Sequence, residues 1–118
     1  MFGLFRKSVS NAAAMKALDI GSSALADQYF PVPLSRHPDA FRAYVAQRVQ
    51  HEYLSETNGR LTTEDAAAIK LVLMYQFVEQ AGQSDLISAA DEGLDAFRAA
   101  HGHQLSPGYS LAVMGRSI

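Results

Sequence analysis

The chain has 118 residues, 48% of them apolar and 19% charged, with a formal net charge of −2 and no cysteine. That length supports one hydrophobic core in a single domain over 1–118, and the apolar share argues against global disorder. The missing thiol excludes disulfides, cysteine nucleophiles and sulfur-held metals and fits a reducing, cytoplasmic setting, while the scattered Lys and Arg, adjacent only at Arg6-Lys7, leave no basic stripe for nucleic acid.

The first residues, 1–9, are unusually oily for a terminus, with Phe2, Leu4 and Phe5 ahead of Arg6-Lys7. An Ala-rich stretch follows, but Asn11, Lys16 and Asp19 interrupt it, which is incompatible with the apolar core of a cleaved signal peptide. From Ser10 to Phe30 the apolar positions Met15, Leu18, Leu25 and Tyr29 read as helix, either one long segment or two joined at Gly21-Ser22. Pro31-Val32-Pro33 ends this element, because proline has no amide to donate and disfavours helix in the residue before it. An extended loop through His37 follows.

The clearest periodicity runs from Pro38 to Glu56, where Phe41, Val45, Val49 and Tyr53 recur every four residues with Tyr44 beside them. Pro38 suits the first helical turn, and Asn58-Gly59 supplies a left-handed stop. Thr62 then caps a helix over about 63–80, with Asp65 placed to reach back as an imperfect capping box. Ile69, Leu71, Val72, Leu73, Met74, Tyr75, Phe77 and Val78 make this helix apolar almost all the way round, so it belongs at the centre of the fold. Lys70 and Gln76 break its oily run, which is shorter than the roughly 20 residues a membrane span requires; no span is expected.

Gly82 stops that helix and Ser84 is placed to cap the next, whose stripe of Leu86, Ile87, Ala90, Leu94 and Phe97 runs to His101, with Gly102 as the stop. Gly93 inside it costs about 1 kcal/mol relative to alanine, so close packing against a neighbour is expected there. In the tail, 103–118, Ser106-Pro107 starts a last short helix carrying Leu111, Val113 and Met114. The fold class is therefore all-α, a bundle of about four to six helices with antiparallel neighbours joined by short connections.

Chemistry-bearing patterns are sparse. His51-Glu52-Tyr53-Leu54-Ser55 opens like a zinc-protease motif but has Ser55 where the second histidine belongs, and Arg48 is placed to pair with Glu52. His101-Gly102-His103 straddles a helix end, where the dipole already favours a cation. Asp91, Glu92 and Asp95 share one helical turn, with Arg98 placed to relieve their repulsion. Phosphate loops, nucleophile elbows and dinucleotide fingerprints are absent, so no catalytic residue, metal or cofactor is expected.

What remains is the excess of apolar side chains at both ends: Phe2, Leu4 and Phe5, and Leu111, Val113 and Met114. These must dock on their own domain, on a second copy, or on another partner, because exposing each large one forgoes roughly 1.5–3 kcal/mol. The sequence thus points to a non-enzymatic interaction or adaptor module, most simply a homodimer. The alternative is a helical pocket or sensor for a small ligand, with Tyr44, His51 and Tyr75 as polar anchors.

Overall fold

The computed structural model describes the backbone of residues 2–118 and the side chains of residues 11–118. The side chains of Phe2, Leu4 and Phe5 lie outside the described residues. Five α-helices form the protein: α1 (Phe2–Asp27), α2 (Asp39–His51), α3 (Thr63–Gln80), α4 (Ser84–His101) and α5 (Pro107–Gly115). No strand occurs among the described residues. The all-α bundle read from the periodicity is therefore the fold, and none of its helices is long and apolar enough to cross a membrane.

α3 is the axle. From Asp65 to Tyr75 every residue is buried. One side of it, with Ala67, Leu71, Met74 and Val78, packs against Ala26, Phe30, Leu94, Phe97 and Val113. The other, with Ala66, Ile69 and Leu73, packs against Leu18, Val45, Val49 and Tyr53. The all-round apolar sequence of this helix is the direct cause: each face meets a different neighbour, so none is left for water.

Residues Ser10 to Asp27 belong to one continuous helix. Gly21-Ser22 does not break it, because Gly21 lies against Thr63, where an added Cβ would meet Cγ2 at 3.4 Å, and the Ser22 hydroxyl donates back to the Asp19 carbonyl at 3.3 Å. After the prolines the chain is not wholly extended, since Leu34–Arg36 form a 3₁₀ turn closed by the His37 amide donating to the Leu34 carbonyl at 3.0 Å, and the Leu34 amide ties its start to α1 by donating to Asp27 Oδ1 at 3.0 Å. α2 ends in a π-type turn over Glu52–Glu56, and Asn58 (φ 51°) and Gly59 (φ 80°) provide the left-handed stop.

Four local expectations need correction. Thr62 caps α3, accepting from the Asp65 amide at 3.1 Å, but the Asp65 carboxylate does not complete a capping box. It turns instead to the start of α5, where it accepts from the Ser106 amide at 2.9 Å and the Ser106 hydroxyl at 2.7 Å. Ser84 is the first helical residue of α4 rather than its cap, and the preceding Gln83 offers no side-chain bond. Gly102 keeps a right-handed conformation and continues into a 3₁₀ turn, so it is not a left-handed stop. Tyr44 does not share the buried stripe of Val45, Val49 and Tyr53; it is half exposed.

Candidate functional site

The sequence singled out several ionisable clusters, and the fold uses members of each in contacts within the chain. Asp91 and Asp95 are bridged by Arg116, the left-handed residue that ends α5, with Nε 2.9 Å from Asp91 and a terminal nitrogen 2.7 Å from Asp95. Arg116, rather than Arg98, relieves the repulsion, and in doing so it ties the C-terminus to α4. Glu52 pairs with Arg48 at 3.4 Å as its spacing predicts, and it also accepts from the Tyr109 hydroxyl at 2.5 Å. Burial, and then this bond to a carboxylate, pushes the Tyr109 phenol well up from its ordinary pKa. His101 is a structural contact too: it packs beside Phe97 and Tyr29, faces the Tyr29 hydroxyl at 3.2 Å and contacts Gln104 at 2.9 Å. No group of His, Asp and Glu among the described residues is placed to hold a metal ion.

The proposed ligand anchors are not brought together. Tyr44 lines a shallow depression of about 220 Å³ with Phe41, Leu73, Gln76, Phe77 and Gln80. His51 is exposed and contacts Glu56 at 3.2 Å. Tyr75 is buried in the main core, where burial first, and the nearby Glu79 and Asp91 second, raise its phenol above the ordinary value. The three therefore do not share a cavity.

Two depressions lie between α1 and α2, which both rest on α3. One of about 290 Å³ is lined by Asp19, Ser23, Asp27, Ser35 and Arg42 over Val45 and Ala46. A second, of about 230 Å³, is lined by Met15, Leu18, Val49 and Tyr53. They adjoin at Asp19 and Ala46, and polar groups line both: Asp27, Ser35 and Arg42 the first, Lys16 and Gln50 the second.

Behind these depressions lies a group whose role the sequence reading missed. Lys70 is fully buried, and its ammonium donates to the Asp19 carboxylate at 2.8 Å, the Asp19 carbonyl at 3.1 Å and the Ser23 hydroxyl at 2.7 Å. All its protons are used, which is the condition under which a buried lysine is tolerated. Lys70 thereby ties Asp19 and Ser23 of α1 to α3. The signal was available: the one charge in the middle of a helix that is apolar almost all the way round, between Ala66 and Val78, is placed to be buried and so needs a partner.

The outer side of α1 presents the opposite picture. Ala13, Ala17, Ile20 and Ala24 are exposed at spacings of four, three and four, and Ile20 keeps 61% of its surface in water. Of residues 11–17 only Met15 is even partly covered. At the other end of the chain, Val113 is entirely buried and belongs to the core, which removes it from any contact surface; Leu111 and Met114 are exposed. Compared with protein-family models, curated proteins and solved structures, the chain matches none.

Proposed function

We propose that this protein is a non-enzymatic interaction module that engages a protein partner through the outward face of α1. The observation that carries this reading is the exposed apolar stripe Ala13, Ala17, Ile20 and Ala24, in a helix where, of residues 11–17, all but Met15 are exposed. The internal use of Glu52, Asp65, Asp91 and Asp95 supports the same reading, since each carboxylate is engaged in holding helices together. A cytoplasmic location, suggested by the absence of cysteine, belongs to this proposal.

The test is Ile20→Glu, compared with wild type by sedimentation velocity on pure protein and by gel filtration of extracts of the source cells. The expected result is that wild type migrates as a complex in at least one setting, and that the variant migrates as a monomer that keeps the helical circular dichroism and cooperative unfolding of a folded chain. Wild type that is monomeric in both settings overturns the proposal.

A further inference from the structure

Three of the four prolines of the chain, Pro31, Pro33 and Pro38, fall in the strap of residues 31–38 that carries the chain from α1 to α2. Each fixes its own φ and restricts the residue before it, so the strap has few conformations open to it and moves as a unit. Two amide bonds give it shape, from His37 to the Leu34 carbonyl and from Arg36 to the Pro33 carbonyl, each 3.0 Å, and the Leu34 amide joins it to Asp27. Its other residues are exposed or half-buried, but His37 keeps only 6% of its surface in water.

The groups that enclose this imidazole come from three places in the fold. Its centroid lies 5.7 Å from Phe30 in the turn after α1, 5.3 Å from Phe41 of α2 and 5.6 Å from Phe77 of α3. One ring thus fastens the strap to all three elements. Neutral imidazole has one N–H, and a carbonyl can only accept, so the 3.3 Å contact from Nε2 to Val32 O uses that proton. Protonation adds a second N–H and a full charge among phenyl rings, whose attraction for a cation is weaker than the hydration it replaces.

The surrounding charges do not offset this. Asp27 favours the imidazolium, but its Oδ1 already accepts from the Leu34 amide. On α2, Asp39 and Arg42 pair with each other. On α3, Glu79 is exposed and acts on Tyr75. Arg36, in the strap itself, is exposed and carries the same sign as an imidazolium. Burial is the largest influence on the ring and favours its neutral form.

We propose that His37 is an acid-released pin: protonation of its imidazole lifts residues 31–38 off α2 and α3 while the helical core stays folded. The strap opens before the core because its own bonds are few, whereas α3 is buried from Asp65 to Tyr75. Its departure takes Leu34 and Ser35 out of the wall of the depression between α1 and α2, so acid widens that depression.

Residue-resolved amide exchange on the full chain, between about pH 7.5 and pH 5, tests this as protection factors, which remove the intrinsic pH dependence of exchange. The released ring titrates near the ordinary 6.5, so opening becomes up to about 30-fold more favourable at pH 5. Protection at Arg36 and His37 is expected to fall by up to that factor, in step with the titration of the His37 ring signal, while amides in the middle of α3 keep theirs. His37→Phe and His37→Gln remove the titration, the first keeping an aromatic ring in the site and the second a donor for the Val32 carbonyl. In either variant the pH dependence at Arg36 is expected to vanish. Constant protection of the strap in wild type, the same fall in a folded variant, or a parallel loss of protection in α3 overturns the proposal.

Discussion

Replacing Gly93 with alanine sets two effects of known size against each other. An alanine in a helix interior is favoured over glycine by about 1 kcal/mol, so propensity alone predicts a more stable protein. The packing predicts the reverse: a Cβ at position 93 would lie 1.7 Å from the Tyr29 carbonyl oxygen and 3.0 Å from its carbon. These are backbone atoms, so no rotamer change removes the clash, and either α4 or the turn after α1 must shift. Over-packing of this kind costs about 1–3 kcal/mol and sometimes more, and displacement of backbone belongs at the upper end. The expected net effect of Gly93→Ala is a loss of about 2 kcal/mol. In a domain of this size that lowers the thermal midpoint by about 4 °C or more for each kcal/mol. Urea unfolding followed by circular dichroism measures it, the midpoint falling while the slope m stays constant. An unchanged or raised midpoint would refute the claim that α4 is seated through this glycine.

Asp65→Ala removes both bonds at the start of α5. Hydrogen bonds to a charged group contribute about 1.5–3 kcal/mol, so a loss near 3 kcal/mol is expected, with faster amide exchange in α5 than in α2; equal exchange in both would contradict the capping role. His37 lies among Phe30, Phe41 and Phe77 with Nε2 3.3 Å from the Val32 carbonyl, and burial lowers its pKa below the ordinary 6.5, against smaller upward pulls from that bond and from Asp27. The neutral form is thus favoured in the fold, so this contribution to stability is complete above pH 6.5 and declines as pH falls through that value toward the folded-state pKa. His37→Phe is expected to flatten the slope of urea midpoint against pH between about 5 and 7; a slope unchanged from wild type would assign it to other groups.

The helices were legible because their ends are punctuated by residues with strong local preferences. Thr62, Pro107 and Asn58-Gly59 act through backbone geometry within a few residues, which a sequence displays openly. Gly93 was legible for a related reason: a costly residue inside a helix implies a compensating contact, though its partner Tyr29 was not foreseeable. What stayed hidden depends on pairs far apart in the chain. Asp65 is a good capping-box residue by position, yet it serves a helix that begins 42 residues later, because the approach of α5 to α3 offers two donors where the box offers one. Arg98 is nearer to Asp95 in sequence than Arg116 is, but the left-handed end of α5 sets the Arg116 guanidinium between both carboxylates. Val113 and Leu111 look equivalent in sequence; their separation into core and surface follows only from which side of α5 meets α3.

Lys70 raises a question that stability alone does not answer. A buried ion pair is often no more stabilising than well-packed apolar side chains of similar volume, and the core would accept methionine at this position. The contacts of α1 with α3 suggest the reason for a lysine: Leu18, Ser22 and Ala26 are mostly small, and a smooth surface of this kind resists rotation of the helix poorly. The three bonds from Lys70 to Asp19 and Ser23 fix that rotation, since turning α1 by one residue, about 100°, would break them all. Fixing the buried side of α1 also fixes which stripe faces outward. Lys70→Met should therefore cost little in thermal stability, within about 1–2 kcal/mol, because Asp19 can turn its carboxylate to water. It should nevertheless loosen the seating of α1, with faster amide exchange over residues 18–27 than in wild type. A Lys70→Met protein whose α1 amides exchange as slowly as its parent's would show that packing alone sets the orientation of α1, and that the buried charge does not govern which face the protein presents.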